Sequence, residues 1–265
     1  MTQGPGVGST AAHIVAVIQA RMRSTRLPGK VLEPIEGRPL LAWTVAGVQA
    51  IRGVADVVVA TTGDATDDAI ASLAAELDVR VHRGSTHDVL RRCVDAVRSS
   101  GPDIVIRQTA DNPFPDPAVA EAQVRTLIDG DLDYVGIDGW PLGIAAEACR
   151  FSALAIADRE ATETADREHV TAFLYRHPDR FRIGRVPRAR VGRQEEGRAR
   201  YTVDTAADLA FARALATELG GVPPVSLARL EAIIEDHPEL LEINAGVGQK
   251  SWRTSQLDEE DPWTS

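Results

Sequence analysis

The sequence predicts an α/β fold with a doubly wound, mostly parallel sheet, and three observations support this class. Residues 13–19 form a compact β-branched run, as in strands buried on both faces of a parallel sheet. Strand-like runs then alternate with helix-like segments of about ten residues, which is typical of right-handed βαβ units. The 44% hydrophobic content of the 265 residues is enough for one large core.

The elements of the first half follow in chain order. Pro39 stands where a helix can begin. Strands are predicted at residues 13–19, 57–60, 79–82, 103–107 and 132–137, and helices at residues 40–51, 67–77, 87–98 and 117–127.

The rhythm changes after residue 136, where we expect a smaller acceptor-binding extension on the same sheet. The predicted elements are a loop at 139–143, helices at 152–161 and 163–175, a strand at 181–186, a charged turn at 192–197, a strand at 200–203 and helices at 206–219 and 226–236. We therefore predict a single domain over residues 13–244. Its nucleotide-binding half is 13–135 and its acceptor-binding half 136–244, between flexible ends at 1–12 and 245–265.

Charge and composition exclude several classes of protein. A net charge of −10 argues against a general nucleic-acid binder, because phosphate contacts need a basic surface. Cys93 and Cys149 lack metal-ligand spacing, so two buried thiols are expected. No apolar stretch reaches the roughly 18 residues that span a membrane, and no signal pattern opens the chain. These features predict a cytoplasmic protein without membrane partners.

The loop at residues 20–30, called the arginine loop below, carries most of the functional information. It leaves the first strand at the edge of the sheet where ligands bind in open α/β folds, and it holds four fixed cations. Arg21, Arg26 and Lys30 are predicted to bind phosphates, with a hydroxyl from Ser24 and backbone at Ala20 free to meet a base. The loop matches neither the Walker A nor the Rossmann motif. The alternative is a solvated basic loop.

Two aspartates are candidate ligands for Mg²⁺, which commonly assists reactions at phosphorus. Asp111 follows the predicted strand 103–107, and Asp204 follows the predicted strand 200–203. Asp111 could instead form an Asx turn before Pro113, and Asp204 could cap the next helix.

A competing acidic pattern, Asp-Gly-Asp at residues 129–131, satisfies the D-x-D of metal-dependent glycosyltransferases. We interpret it as a solvated turn between a helix and a strand.

The arginine loop, followed by Gly-Arg-Pro-Leu at residues 37–40, resembles the signature loop of the cytidylyltransferases that activate acidic sugars. These include the CMP-KDO and CMP-sialate synthetases, and the branch of the spore-coat polysaccharide biosynthesis (SpsF-like) proteins is the most similar. The resemblance runs from about residue 13 to residue 215. It implies a nucleotide-diphospho-sugar transferase-like fold, CTP as substrate and Mg²⁺ on Asp111 and Asp204, with Arg21 and Lys30 also catalytic.

The same resemblance extends to the base and acceptor sides. Ser85, in a segment that resembles the family's at residues 84–90, could meet the base or ribose, or cap a helix, and Thr109 shares the loop of Asp111. Residues 143–147 resemble a Gly-x-x-x-Glu segment and residues 168–171 a Glu-His-Val-Thr helix. The acceptor-binding candidates are Gly143, Glu147, Glu168 and His169.

The leading hypothesis is the transfer of CMP from CTP to a small anionic, sugar-like acceptor with release of pyrophosphate. The alternatives are a nucleotidyltransferase that uses another NTP and a sugar 1-phosphate, and a glycosyltransferase or non-catalytic nucleotide-binding relative. The sequence does not fix the acceptor or the oligomeric state, and a homodimer is compatible with it.

Overall fold

The computed structural model of the chain describes residues 12–188 and 199–248. The predicted charged turn at 192–197, the N-terminal end before residue 12 and the tail beyond residue 248 lie outside the described residues.

The described strands form a seven-stranded sheet and a two-stranded hairpin. Their bounds are β1 Ile14–Gln19, β2 Pro34–Ile35, β3 Arg38–Pro39, β4 Val54–Thr62, β5 Arg80–Gly84, β6 Ile104–Thr109, β7 Tyr134–Asp138, β8 Glu147–Arg150 and β9 Ile183–Pro187. The large sheet has the order β5-β4-β1-β6-β8-β7-β9, and β2 pairs with β3. The strands of both predicted halves therefore belong to one sheet.

The helices lie on both sides of that sheet, which confirms the doubly wound prediction. Their bounds are α1 Leu40–Gln49, α2 Asp68–Glu76, α3 Val89–Arg98, α4 Pro117–Asp129, α5 Phe151–Glu160, α6 Thr164–Glu168, α7 Ala172–Arg176, α8 Ala206–Glu218 and α9 Leu227–Asp236, with short 3-10 turns at Lys30–Leu32, Ala65–Asp67 and Pro238–Ile243. One buried cluster packs α1, α2 and α4 on one face, and another packs α3, α5 and α7 on the opposite face. A third cluster joins α8 and α9 to α1 and α4.

Strand direction decides which residues meet at the functional edge. β5, β4, β1 and β6 are parallel neighbours, whereas β8 is antiparallel to both β6 and β7. The ends of β1, β4, β5 and β6 and the beginning of β8 therefore share one edge, called the carboxyl edge below. In the β6–β8 pairing, Arg107 lies opposite Glu147.

Three predictions for the second half were wrong. β8 was missed, because Glu-Ala-Cys-Arg contains no β-branched residue and has little strand propensity. Residues 200–203 do not form a strand, since Tyr201 N donates to Leu142 O (2.9 Å) and Val203 N to Asp111 O (2.8 Å), two different loops. The predicted helix 163–175 is broken into α6 and α7 at Val170, which adopts a left-handed φ of 54°.

Cys93 and Cys149 are free and buried, as predicted. Burial raises the pKa of both thiols. Across residues 12–188 and 199–248, no helix has the length and apolarity needed to cross a membrane.

Candidate active site

The arginine loop is closed on itself by the backbone of Met22. Met22 O accepts hydrogen bonds from Ser24 N (3.0 Å) and Gly29 N (2.8 Å), while Ala20 N donates to Ala60 O at 3.1 Å and so extends β1 toward β4. Gly29 has a φ of 75°, a conformation that glycine adopts without steric cost. These contacts turn the chain so that the exposed cations precede the buried Lys30.

Asp67 anchors the loop to the end of β4. Its carboxylate accepts from Met22 N (2.8 Å), Thr61 Oγ1 (3.0 Å) and both N (3.1 Å) and Oγ1 (2.5 Å) of Thr62. Burial alone would raise the pKa of Asp67, but these hydrogen bonds outweigh it and hold the pKa below its usual value. Sequence reasoning missed this residue, because Asp67 only marked the beginning of a predicted helix and its partner lies 45 residues earlier.

Lys30 joins three segments of the chain at the carboxyl edge. Its Nζ donates to Asp111 Oδ2 (2.8 Å), Asp204 Oδ1 (2.9 Å) and the carbonyl oxygen of Val203 (2.7 Å). The lysine side chain is only 8% exposed. We call Lys30, Asp111 and Asp204 the lysine hub. The two aspartates, separated by about ninety residues in sequence, thus approach the same atom, although Asp204 follows an irregular segment and not a strand.

Asp204 is surrounded by cations. Besides Lys30, it pairs with Arg26 Nη2 (3.0 Å) and with Arg200 Nη2. Burial alone would raise the pKa of Asp204, but the charge and hydrogen bond of Lys30, followed by the charges of Arg26 and Arg200, hold it below its usual value. The carboxylate is therefore ionised at neutral pH.

The alternative role of Asp204 as the cap of the next helix is excluded, because another residue caps α8. Thr205 is the N-cap residue, and its side chain forms a capping box with Asp208. Asp208 also accepts the backbone N–H of Asp204 at 3.1 Å. The helix thus begins without help from the Asp204 carboxylate.

Asp111 lies directly beyond β6, and both its backbone and its side chain reach other segments. Its carbonyl oxygen accepts from Val203 N, and its carboxylate accepts from Lys30. The local side-chain contact in this loop is made by its neighbour, because Asn112 Nδ2 donates to Thr109 Oγ1 at 2.8 Å. The Thr109 hydroxyl keeps its own hydrogen and a second lone pair, so its contact with a nucleotide remains a prediction.

Two other predicted nucleotide ligands have structural partners. Arg21 is exposed, and its Nη2 lies 4.0 Å from Glu168 Oε1. Ser85 follows β5, and its Oγ accepts from Asp88 N at 3.0 Å, so the hydroxyl stabilises the turn that leads into α3. Nucleotide contacts for Arg21, Ser24 and Ser85 remain predictions.

A partly buried polar network begins where β6 meets β8. Arg107 donates to Gln19 Oε1 through Nε (3.1 Å) and Nη2 (2.9 Å), and to Glu147 Oε2 at 2.8 Å. Tyr134 Oη donates to the other oxygen of Glu147 at 2.8 Å. Sequence reasoning proposed Glu147 but missed Arg107. The position of Arg107 opposite Glu147 becomes evident only once β8 is known.

His169, the other titratable acceptor-side candidate, has a lowered pKa. Burial lowers the pKa of His169 and the charge of Glu168 opposes this shift only in part, so the histidine is neutral at neutral pH.

Gly143 holds the Asp204 segment close to the acceptor-side loop. It has a φ of 96°, and a Cβ on it would lie 2.5 Å from Thr202 N. Any side chain would therefore push residues 201–202 away, together with the adjacent Asp204. This close backbone approach accounts for the glycine, while a contact with the acceptor remains a prediction.

The acidic turn at residues 129–133 lies at the other edge of the sheet, where β7 begins. Asp131 pairs with Arg150 Nη2 (2.9 Å) and with Arg182, and its side chain is 70% exposed. This placement removes it from the lysine hub and agrees with the solvated-turn interpretation.

A cationic loop and two carboxylates at the carboxyl edge of a doubly wound sheet are the parts of a nucleotidyltransferase site, and the comparisons with known proteins agree. A family model described as cytidylyltransferase matches residues 15–236. The spore coat polysaccharide biosynthesis protein SpsF of Bacillus subtilis is 34% identical over 231 residues, covering 85% of this chain and 95% of that protein. The 3-deoxy-manno-octulosonate cytidylyltransferase of Colwellia psychrerythraea is 35% identical over 114 residues, covering 43% and 40%.

The fold has a similar solved structure, a cytidylyltransferase from Leptospira borgpetersenii. It superimposes with a TM-score of 0.80 at 24% identity and covers 91% of this chain and 99% of that one. The chain belongs to the cytidylyltransferase family. The resemblance of the chain to that family, predicted from the sequence, is thereby confirmed.

Proposed function

We propose that the protein transfers CMP from CTP to a small anionic, sugar-like acceptor and releases pyrophosphate. The observation that carries the proposal is the lysine hub beside the arginine loop, where Lys30 contacts both Asp111 and Asp204. The sugar-like acceptor is supported by the names of two relatives, a polysaccharide biosynthesis protein and a 3-deoxy-manno-octulosonate cytidylyltransferase.

The donor set suits Mg²⁺. This ion prefers oxygen ligands and usually takes one or two carboxylates, with substrate phosphates and water completing an octahedron. Asp111 and Asp204 supply two such carboxylates, held within hydrogen-bond distance of one amine. In the described ranges, no group of three or more His, Cys, Asp or Glu residues could hold a metal ion by itself. A metal ion at the hub would therefore need ligands from the substrate as well. We propose that Asp111 and Asp204 hold Mg²⁺ together with the triphosphate, where it would neutralise charge at the α-phosphate.

The protein's own groups position the reactants and compensate their charge. An anionic oxygen of the acceptor forms a bond to the α-phosphorus, and the bond from that phosphorus to the bridging oxygen of the β-phosphate breaks. Arg21 and Arg26 lie on the exposed side of the loop, where they can neutralise the triphosphate and the departing pyrophosphate. An acceptor that is already ionised needs no strong base, so orientation contributes most of the rate.

A pyrophosphate-release screen tests the proposal. Each of the four NTPs is incubated with the protein, Mg²⁺ and a panel of acidic sugars and sugar phosphates. We expect release with CTP and an acidic sugar. Release with another NTP and a sugar 1-phosphate would establish the alternative nucleotidyltransferase activity, and release under no condition would contradict a transferase.

A further inference from the structure

The turn between α6 and α7 combines a strained backbone with two of the acceptor-side candidates, Glu168 and His169. Thr171 N donates to His169 O at 2.5 Å, which closes a γ-turn around Val170, whose φ is 54°. This form of the γ-turn is rare, and valine adopts a left-handed φ only at a cost in energy. Such a conformation persists only where the surrounding structure determines it, and such residues cluster at functional sites.

The turn lies beside two parts of the candidate active site. Arg21 Nη2, from the arginine loop, lies 4.0 Å from Glu168 Oε1. Burial lowers the pKa of His169, the charge of Arg107 acts in the same direction and that of Glu147 opposes it, so the imidazole lies near this pair at β6 and β8. Adjacent residues diverge by about 100° around a helix, so Glu168 and His169 can address two different groups.

α6 cannot fix this turn alone, since a helix of five residues is marginal in water. Arg167, the residue before Glu168, connects it to two other helices. Its Nε donates to Asp88 Oδ2 at 3.0 Å, and its Nη2 donates to the same oxygen. Its Nη1 donates to Asp158 O (2.7 Å) and its Nη2 to Asp158 Oδ1 (3.0 Å). Arg167 thus joins α6 to the N-cap residue of α3 and to α5.

These contacts are largely sheltered from water, which strengthens them. The side chains of Arg167, Asp88 and Asp158 are 18%, 32% and 2% exposed. The planar guanidinium spans both carboxylates in one fixed geometry, which a lysine ammonium group cannot reproduce. A further ion pair, from Arg176 Nη1 to Asp166 Oδ1 at 2.8 Å, joins α6 to α7. Buried carboxylates therefore hold the segments on both sides of the γ-turn.

We propose that Arg167 is a positioning residue, which holds the γ-turn against α3 and α5 so that Glu168 and His169 face the acceptor. This inference rests on the proposed function. Arg167 acts through the backbone of the next two residues, so its loss should displace them without removing a group that contacts a substrate. A residue that only stabilised the fold would lower the melting temperature and leave the folded site unchanged.

The first arm of the test follows the imidazole of His169 by NMR, without substrate, in the wild type, Arg167→Met and Arg167→Lys. Burial holds the pKa of His169 below its usual value, so a displaced turn should raise that pKa. Arg167→Lys keeps the positive charge, which separates displacement from a change in electrostatics. The charges of Arg107, Glu147, Glu168 and Asp166, which also act on His169, are the same in all these proteins.

Arg98→Met is the matched control. Arg98 Nη2 lies 3.5 Å from Oδ2 of the same Asp158, but Arg98 belongs to α3 and its side chain is 51% exposed. The pKa of His169 should be unchanged in this variant. An unchanged pKa in folded Arg167→Lys and Arg167→Met would overturn the proposal, as would the failure of both to fold, because Arg167 would then serve the core.

The second arm separates the acceptor from the nucleotide. It uses CTP and the acidic sugar with the highest rate in the pyrophosphate-release screen. We expect Arg167→Lys to lower kcat/KM for that sugar by about 10–10²-fold, as misplacement of an orienting group does. The Kd of CTP, measured by calorimetry, should stay unchanged, and Arg98→Met should match the wild type in both quantities.

The two arms fail in different ways. An unchanged kcat/KM for the sugar in Arg167→Lys, or an equal loss of CTP affinity, would contradict the positioning role alone. If no sugar in the panel supports pyrophosphate release, the proposed function fails, while the pKa of His169 still decides whether Arg167 holds the turn.

Discussion

Two clusters of aspartates and basic residues lie at opposite edges of the same sheet and differ in burial. In the lysine hub, the side chains of Lys30, Asp111 and Asp204 are 8%, 27% and 17% exposed. At the acidic turn, Asp131 is 70% exposed and its partner Arg182 is 54% exposed. The hub joins three segments distant in sequence, and the turn does so too, because Asp131 pairs with Arg150 and Arg182. Residue type and convergence therefore do not distinguish the two clusters; burial does.

The largest effect is expected from removing the amine of the hub. Lys30→Met removes the cation that the two carboxylates share: Asp204 keeps Arg26 and Arg200, whereas Asp111 loses its ion pair. Removing one partner of a buried ion pair typically costs up to roughly 3–5 kcal/mol. Urea unfolding should show this loss, and added Mg²⁺ should restore part of it if the aspartates bind the ion. Arg182→Met at the exposed cluster is the control and should leave the unfolding midpoint nearly unchanged. A midpoint equally unaffected in both variants would show that the hub and the turn are energetically alike.

The next effect concerns turnover. Asp111→Asn and Asp204→Asn should each lower kcat by about 10²–10³-fold or more, as loss of a group that stabilises transition-state charge does. CTP should still bind through the arginine loop. The check is the steady-state rate of pyrophosphate release, with affinity measured separately by calorimetry.

Asp131→Asn provides the matched carboxylate from the opposite edge, and its kcat should equal that of the wild type. Near-wild-type turnover of Asp111→Asn or Asp204→Asn at saturating Mg²⁺ would refute the metal role of that residue.

A smaller effect is expected at the rim of the hub. Arg26 is half-exposed and lies 3.0 Å from Asp204, on the side open to a triphosphate. A hydrogen bond to a charged group contributes about 1.5–3 kcal/mol, so Arg26→Ala should weaken CTP binding about tenfold or more. Calorimetry on folded protein measures this, with Arg182→Ala as control. Unchanged affinity in Arg26→Ala would remove this arginine from the phosphate site.

The smallest effect is a pH dependence carried by Asp67. Its folded-state pKa lies below the usual value near 3.8, so the unfolded chain takes up the proton first as pH falls. The stabilisation is therefore present above about pH 4 and is lost as pH falls through the folded-state pKa. When the pH is lowered from about 7 to about 3, the free energy of unfolding should fall more steeply in the wild type than in Asp67→Asn. Parallel curves would contradict this assignment.

The sequence predicted the first half of the fold because its strands and helices differ in hydrophobic period. It also placed Lys30, Asp111 and Asp204 at one edge of the sheet, since each lies near the end of a predicted strand or in the loop after one. For Asp204 the reason was partly wrong, because residues 200–203 form no strand. What holds this segment is the glycine at 143 and two backbone hydrogen bonds to separate loops.

The parts that sequence reasoning missed depend on long-range partners. Asp67 and Arg107 have no local pattern that marks a site, and their roles follow from contacts with Met22 and Glu147. The break at Val170 was hidden for a different reason. A helical pattern of apolar residues continues through it, and a left-handed valine is too rare for any pattern to predict.

The position of Lys30 has a consequence for how the site fills. Without ligand, the ammonium group acts as a built-in counter-ion for Asp111 and Asp204, so the aspartates are already electrically compensated. A bare divalent cation would have to enter beside Lys30, Arg26 and Arg200 and would meet repulsion. On the proposed function, a metal that arrives already chelated by a triphosphate brings a net negative charge instead. Lys30 could then leave Asp111 and Asp204 and pair with phosphate, while the metal takes the place of the ammonium group beside the two aspartates. Nucleotide and metal would thus enter together.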